Sequence, residues 1–203
     1  MLRRLESLFD PTLPPGRGLA ALIVSDYLAY YVATPTRARW GVEGTTRTES
    51  PRRLALLFLP RLVANPCLHA TVLVRLAMAA PRFTLGLWRS LLIAKHSIDL
   101  QADLEVGPGL MFPHPHGITF GWGPRIGRNV TILHGVTIGG LVSRPEGAHS
   151  SPTIGDDVVI YMDSMVLGPI TLGDGSVVAA GSWVDHDLEP GEVHRGRAEL
   201  YRD

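Results

Sequence analysis

The sequence predicts an α+β chain in which an N-terminal α-helical region is followed by a parallel β-solenoid of six-residue repeats. Apolar stripes at helical spacing fill the first half of the chain. In the second half an apolar residue recurs every six positions, as Leu100, Val106, Phe112, Ile118, Ile126, Ile132, Ile138, Ile154, Ile160, Val166, Leu172, Val178 and Val184. A helix would show a period of 3.6 residues and a flat sheet a period of two, whereas six suits short strands that turn a corner after each repeat.

Two interruptions break the six-residue step. Two extra residues are assigned to the stretch Trp122–Arg125, and ten more follow Ile138. Each coil of a solenoid contacts only its neighbours, so an insertion is expelled at a corner and becomes a surface loop. The segment 139–153 is therefore expected to form a loop that covers substrate.

Four helices are predicted before the solenoid: Ala20–Val32, Pro51–Leu62, Pro66–Met78 and Thr84–Ala94. A proline suits the first turn of a helix because no hydrogen bond is needed there from its nitrogen. After position 96 glycine and β-branched residues replace helix formers. This change divides the chain into an N-terminal helical region (1–96), a solenoid domain (97–188) and a C-terminal tail (189–203).

The helical stripes have two interpretations. Packing of the helices against each other is the simpler one. The alternative is a membrane-surface role for the helices flanked by Arg75, Arg82 and Arg89.

The bulk properties narrow the function classes. The 203 residues carry 19 basic and 19 acidic side chains, so the protein has no net positive charge that would favour binding to nucleic acid. One cysteine, Cys67, rules out an internal disulfide and favours a reducing, cytoplasmic location. Residues 1–10 lack the pattern of a secretory signal, and the longest apolar stretch, 18–32, is too short and too polar to span a bilayer.

One pair of residues suggests general-base chemistry. His114 lies in the run Pro113–Gly117, and Asp99 precedes it by fifteen positions. If one coil contains three repeats, this separation places the two on neighbouring coils. A carboxylate beside an imidazole fixes its tautomer and makes its other nitrogen a better base. A surface histidine with an unrelated aspartate is the competing interpretation.

The motifs around this pair resemble the serine O-acetyltransferase family of left-handed β-helix acyltransferases. They comprise Asp99, then Gly107-Pro108-Gly109, then His114 and Gly117, followed by Ile126-Gly127-Arg128-Asn129-Val130 and Val136-Thr137-Ile138-Gly139-Gly140. The resemblance covers roughly residues 65–188 and implies a left-handed parallel β-helix. It also implies transfer of an acyl group from acetyl-CoA to a hydroxyl group.

The resemblance further implies roles for individual residues. His114 would be the general base and Asp99 its partner, while His149 would help to hold the acceptor. Gly139 and Gly140 would let the backbone approach the thioester arm of acetyl-CoA, and Ala179 and Ala180 would line its groove. No metal is implied. The partners expected are coenzyme A, a small-molecule hydroxyl acceptor and two further copies of the chain in a homotrimer, with a hexamer formed through the N-terminal helices as the larger alternative.

The chain departs from the family pattern where the family binds serine. Pro113 and Ala148 stand where the family has Asp and Arg, so free serine is expected to be a poor acceptor. The acceptor would then be either serine or, as the missing contacts favour, a serine-like, sugar or natural-product hydroxyl. Arg144 is the residue proposed to replace the missing charge.

Two other functions fit the repeat. One is a zinc enzyme of the γ-carbonic anhydrase type, whose ligands would be His114, His116 and His134. The other is a scaffold without catalytic activity, which would not be stabilised by coenzyme A.

Overall fold

The computed structural model describes residues 18–31, 49–140 and 150–196. Its helices are α1 (Leu19–Tyr31), α2 (Pro51–Ala64), α3 (Pro66–Ala79) and α4 (Leu85–His96), with a 3₁₀ turn at Arg82–Thr84. All four predicted helices are confirmed, each within two residues of its expected ends.

Local hydrogen bonds account for where the helices begin and end. The side chain of Asn65 accepts from the N–H groups of Cys67 and Leu68 at 3.0 and 3.2 Å, which caps the start of α3. At the other end of the helical region, Ser97 adopts a left-handed conformation with φ of 53° and ends α4. The chain enters the first strand two residues later.

The rest of the described chain consists of short parallel strands joined by corners, and the strands are arranged as three sheets. Sheet A contains β1 (Asp99–Leu100), β3 (Thr119–Phe120), β6 (Thr137–Gly139), β9 (Met165–Leu167) and β12 (Trp183–Val184). Sheet B contains β2 (Glu105–Val106), β4 (Arg125–Ile126), β7 (Thr153–Ile154) and β10 (Thr171–Leu172). Sheet C contains β5 (Thr131–Ile132), β8 (Val159–Ile160), β11 (Val177–Val178) and β13 (Val193–His194). The fold is the expected left-handed parallel β-helix.

The register of the sheets confirms a coil of three six-residue repeats. Thr119 pairs with Thr137, and Met165 pairs with Trp183, each pair eighteen positions apart. Thr137 and Met165 also pair, although twenty-eight positions separate them, so the ten-residue insertion after Ile138 is confirmed. The strands before and after it, β6 and β7, belong to sheets A and B, and positions 141–149 of the expected substrate-covering loop lie outside the described residues.

The two-residue insertion was assigned to the wrong corner. Sheet A pairs Leu100 with Phe120 and Phe120 with Ile138, so Phe120, and not Ile118, is the repeat residue. Eight positions separate Phe112 from Phe120, and six separate Phe120 from Ile126. The extra residues therefore lie between Phe112 and Phe120, in the corner that carries His114 and His116. A period-six count cannot distinguish Ile118 from Phe120, because both are apolar and both are buried.

The ladder also extends beyond the expected end of the solenoid at Leu188. Leu188 bridges to Leu172, and β13 pairs with β11 in sheet C. The sequence at Pro190-Gly191 suggested termination. Instead, Gly191 adopts a φ of 74° and makes one more corner.

The helical region packs against the first coil. Leu73, Val74, Ala77 and Leu92 share one buried cluster with the inner residues of the solenoid. Each of the three arginines considered for a membrane surface is paired with an aspartate: Arg75 with Asp26, Arg82 with Asp103 and Arg89 with Asp99. Among the described helices none alone is long and apolar enough to cross a bilayer; α2 and α3 meet that criterion only as a pair, and they are bent by 93°.

Candidate active site

The corner Pro113–Gly117, here called the histidine corner, joins sheet C to sheet A beside the first coil. Inside it the N–H of His116 donates to the carbonyl of His114 at 2.9 Å. The N–H of Gly135, on the next coil, donates to the carbonyl of His116 at 2.8 Å. Gly117 takes a φ of 65°, which closes the turn. The corner is thus fixed to the coil above it while the side chain of His114 is exposed.

The helical region holds the histidine corner from the other side. The hydroxyl of Tyr30 accepts from the N–H of Phe112 at 2.8 Å and also lies 2.7 Å from the hydroxyl of Thr71. The thiol of Cys67 donates to the carbonyl of Pro113 at 2.9 Å. Burial raises the pKa of Tyr30 and of Cys67, so both groups stay protonated at neutral pH. Side chains of α1 and α3 therefore fix the two residues that precede His114.

His114 lies against a second histidine on the next coil. The rings of His114 and His134 are 5.8 Å apart between centroids and inclined by 77°, an edge-to-face arrangement. His134 is half-buried, and within the described residues its buried Nδ1 has no hydrogen-bond partner. The site therefore contains two imidazoles of different exposure on successive corners.

His116 belongs to a different environment from His114. Besides burial, a positive charge on His116 lowers the pKa of His96, the last residue of α4, whose Nε2 lies 2.9 Å from Nδ1 of His69. Burial lowers the pKa of His96, and the charges of His69, His116 and Lys95 lower it further. His116 is thus electrostatically linked to the helical region, whereas His114 contacts the next coil.

The carboxylate of Asp99, which is predicted to pair with His114, is bound by an arginine of α4. The carboxylate of Asp99 accepts from the guanidinium of Arg89 on α4, through Nε to Oδ1 and through Nη2 to Oδ2 at 2.8 Å. These hydrogen bonds raise the pKa of Arg89. Among the described residues no hydrogen bond joins Asp99 to His114, and α4, which carries Arg89, packs directly on β1.

The residues predicted to line the acetyl-CoA site occupy two edges of sheet A. Ala179 and Ala180 lie in a corner between sheets C and A, three coils above the histidine corner; at a strand spacing of about 4.8 Å this is about 14 Å along the axis. Gly139 and Gly140 lie at the opposite edge, where sheet A leads to sheet B. There Gly139 stacks on Gly121, since a Cβ on Gly121 would lie 3.0 Å from its Cα. Within one chain, His114 and the two alanines therefore lie at the same edge of sheet A, separated along the axis, and the two glycines lie at the opposite edge.

Two predicted substrate-binding residues, Arg144 and His149, lie outside the described residues. The histidines of the zinc alternative are described. His114 lies beside His134, while His116 acts on His96. Within the described part of the chain no three His, Cys, Asp or Glu side chains are grouped so that they could hold a metal ion.

Sequence reasoning missed four residues that contact His114, the two residues before it, or Asp99. Tyr30, Cys67 and Arg89 come from the helical region, and only tertiary packing brings them to the first coil. The sequence did contain a signal for His134. It stands two positions after the repeat residue Ile132, as His114 stands two positions after Phe112. It entered the sequence analysis only as a zinc ligand.

Comparisons with known proteins identify relatives of this chain. The family described as bacterial transferase hexapeptide (six repeats) matches residues 151–186. A serine acetyltransferase from Bacillus subtilis is 40% identical over 91 residues, which are 45% of this chain and 41% of the relative. The chain therefore spans about two fifths of the length of that relative.

Two further relatives extend over more of the molecule. The solved structure of soybean serine acetyltransferase complexed with serine superposes with a TM-score of 0.66 at 27% identity and covers 86% of this chain and 65% of the soybean chain. A serine acetyltransferase from Helicobacter pylori (strain ATCC 700392 / 26695) is 33% identical over 139 residues, which are 66% of this chain and 80% of the relative. On this coverage and identity, the chain belongs to the serine acetyltransferase family of hexapeptide-repeat transferases.

Proposed function

We propose that the chain is an acetyl-CoA-dependent O-acetyltransferase that acetylates a hydroxyl group of a small-molecule acceptor. The observation that carries the proposal is the placement of His114. Its imidazole is exposed, while the backbone around it is fixed by Tyr30, by Cys67 and by Gly135. An accessible base on a rigid support is what proton abstraction from a hydroxyl requires.

In the proposed reaction His114 acts as the general base. It accepts the proton of the acceptor hydroxyl while the hydroxyl oxygen attacks the thioester carbonyl carbon. A C–O bond forms, and the carbonyl π electrons move to the carbonyl oxygen. The intermediate collapses, the C–S bond breaks, and the leaving coenzyme A sulfur takes the proton from His114. General-base help of this kind contributes about 10² to 10⁴ in rate and needs no metal ion.

Asp99 is the proposed partner of His114, with Arg89 holding it. A carboxylate offers about four lone-pair sites. Arg89 uses one site on each oxygen, so each oxygen can still accept from an imidazole N–H. Hydrogen bonds of catalytic groups are often long or absent before substrate binds and tighten in the complex. We therefore propose that Asp99 orients His114 when acceptor and acetyl-CoA are both bound.

We propose a homotrimer with acetyl-CoA bound between subunits. Within one chain the alanines 179 and 180 lie at one edge of sheet A, and the glycines 139 and 140 lie at the other. In a closed ring of three, one edge of a subunit meets the opposite edge of its neighbour. Such an arrangement would bring the two groups together around one thioester arm. The N-terminal helices could pair two trimers into a hexamer, and a cytoplasmic location remains our expectation.

The acceptor follows from the relatives and from the residues beside His114. The names of the relatives make L-serine the first candidate. Pro113, however, carries no polar side-chain group, and its carbonyl is already engaged by Cys67. We therefore propose a hydroxyl acceptor that differs from free serine in the groups around its amine and carboxylate, such as a serine-like unit, a sugar or a natural product.

Two measurements test the proposed function. The chain should gain thermal stability with coenzyme A or acetyl-CoA, by an amount that rises with ligand concentration. It should also release free thiol from acetyl-CoA only when a hydroxyl acceptor is present, in a screen of amino acids, serine-containing peptides and sugars. Absence of any stabilisation by coenzyme A would contradict the proposal and favour a scaffold.

A further inference from the structure

His134 has a tautomer that its surroundings determine. Its Nδ1 is buried, and none of the described residues accepts a hydrogen bond from it. A hydrogen on Nδ1 would be a buried donor without an acceptor, which carries the full desolvation penalty of that group. With the hydrogen on Nε2 the buried Nδ1 is an acceptor without a donor, which native structures tolerate more often than a buried N–H without an acceptor, and the N–H lies at the ring nitrogen that is not buried without a partner. His134 then presents an N–H donor on the accessible side of its ring.

This donor lies beside the proposed base. The rings of His114 and His134 are 5.8 Å apart between centroids, and their corners are on successive coils. A thioester carbonyl group can therefore lie between them, about 3 Å from a hydroxyl nucleophile held by His114 and about 3 Å from the N–H donor of His134. The backbone of His134 is fixed as well, because its carbonyl accepts from the N–H of Asp163 at 3.0 Å.

We propose that His134 is a second catalytic residue, which donates a hydrogen bond from Nε2 to the carbonyl oxygen of the acetyl thioester. As the acceptor oxygen attacks and His114 takes its proton, negative charge develops on the carbonyl oxygen, and the Nε2–H of His134 stabilises it. The donor keeps its proton throughout, and the charge disappears when the C–S bond breaks. This assignment rests on the proposed acetyltransferase function and adds the group that binds the oxyanion.

Kinetics of three variants test the proposal. His134→Ala should lower kcat about 10² to 10³-fold, the effect of removing one oxyanion donor. Its dissociation constant for coenzyme A and the shape of its pH–rate profile should not change, because His114 still provides the base. His134→Gln keeps an N–H donor and should recover most of the loss. Met162→Ala, at the matching corner of the next coil, is the control and should stay within threefold of the wild type.

Three outcomes would overturn the assignment. A His134→Ala variant that is folded and has wild-type kcat would remove the oxyanion role while leaving acetyl transfer intact. Loss of the acidic limb of the pH–rate profile in that variant would make His134 the base. Nitrogen-15 NMR of the wild-type protein provides a test that needs no acceptor: the proposal requires the Nε2–H tautomer at His134, and an Nδ1–H tautomer would contradict it even if no acceptor in the screen is acetylated.

Discussion

Asp26 and Arg75 form an ion pair with 0% and 1% of their side chains exposed. Two hydrogen bonds of 2.7 and 2.9 Å join the guanidinium to the carboxylate. Both side chains also form hydrogen bonds with the backbone of the first coil. Oδ1 of Asp26 accepts from the N–H groups of Gly109 and Leu110. Arg75 donates to the carbonyls of Val106 and Gly107. The pair therefore attaches α1 and α3 to the start of the solenoid.

Breaking this pair from one side should be costly. Asp26→Ala leaves the charge of Arg75 buried without a counter-ion, and we expect the free energy of unfolding to fall by about 3–5 kcal/mol. Arg82→Ala is the matched control, because Arg82 pairs with Asp103 but has 80% of its side chain exposed. That variant should lose about 1 kcal/mol or less. Urea unfolding of the two variants measures the difference, and equal losses would refute a structural role for the buried pair.

Tyr30 should affect turnover although it lies on a helix far from His114 in sequence. Tyr30→Phe removes the hydroxyl that accepts from the N–H of Phe112, and the unfolding free energy should fall by about 1–3 kcal/mol. The loosened histidine corner should lower kcat about tenfold, since small misplacements of a reacting group are expensive. KM for acetyl-CoA should stay unchanged.

The control for this variant is Tyr31→Phe. The hydroxyl of Tyr31 accepts from the side chain of Asn65, the cap of α3, at 3.2 Å. It should lose stability without a comparable loss of kcat. If both variants lost kcat equally, the contact between Tyr30 and Phe112 would have no special role.

The solenoid could be predicted from the sequence because its core repeats a simple local rule, whereas the surroundings of His114 follow no such rule. The repeat gave the coil length and the ten-residue insertion. It could not place the two-residue insertion, because Ile118 and Phe120 are equally apolar and equally buried. The partner of Asp99 was missed for a different reason. Arg89 reaches it through the packing of α4 on β1, and a spacing count along the chain contains no information on that packing.

Asp99 should act through His114, and a double-mutant cycle tests this. Asp99→Asn keeps the size of the side chain but removes its charge, and we expect kcat to fall at least tenfold. In a His114→Ala background the same change should have little further effect, because residues that act as a unit are not additive. Arg89→Leu should give a smaller loss than Asp99→Asn. Additive effects of Asp99→Asn and His114→Ala would instead restrict Asp99 to its ion pair with Arg89.

Free L-serine should be a poor acceptor. Pro113 and Ala148 provide neither a charge nor a hydrogen-bonding side chain, and each charged hydrogen bond that is lost weakens binding by about 1.5–3 kcal/mol. Two such losses correspond to roughly two to four powers of ten in affinity. Thiol release measured against serine concentration checks this, with Pro113→Asp as the variant expected to improve serine capture if the corner keeps its shape. Efficient turnover at sub-millimolar serine in the wild type would contradict the expectation.

Comparison of His114→Ala with His116→Ala in the thiol-release assay tests the central claim most directly. The two histidines lie in the same corner, but His114 contacts His134 while His116 acts on His96. We predict that His114→Ala loses at least two powers of ten in kcat and still binds coenzyme A, since the base acts on the acceptor and not on the donor. His116→Ala should lose less than tenfold. The reverse ranking, or equal activity in both variants, would contradict the assignment of His114 as the base.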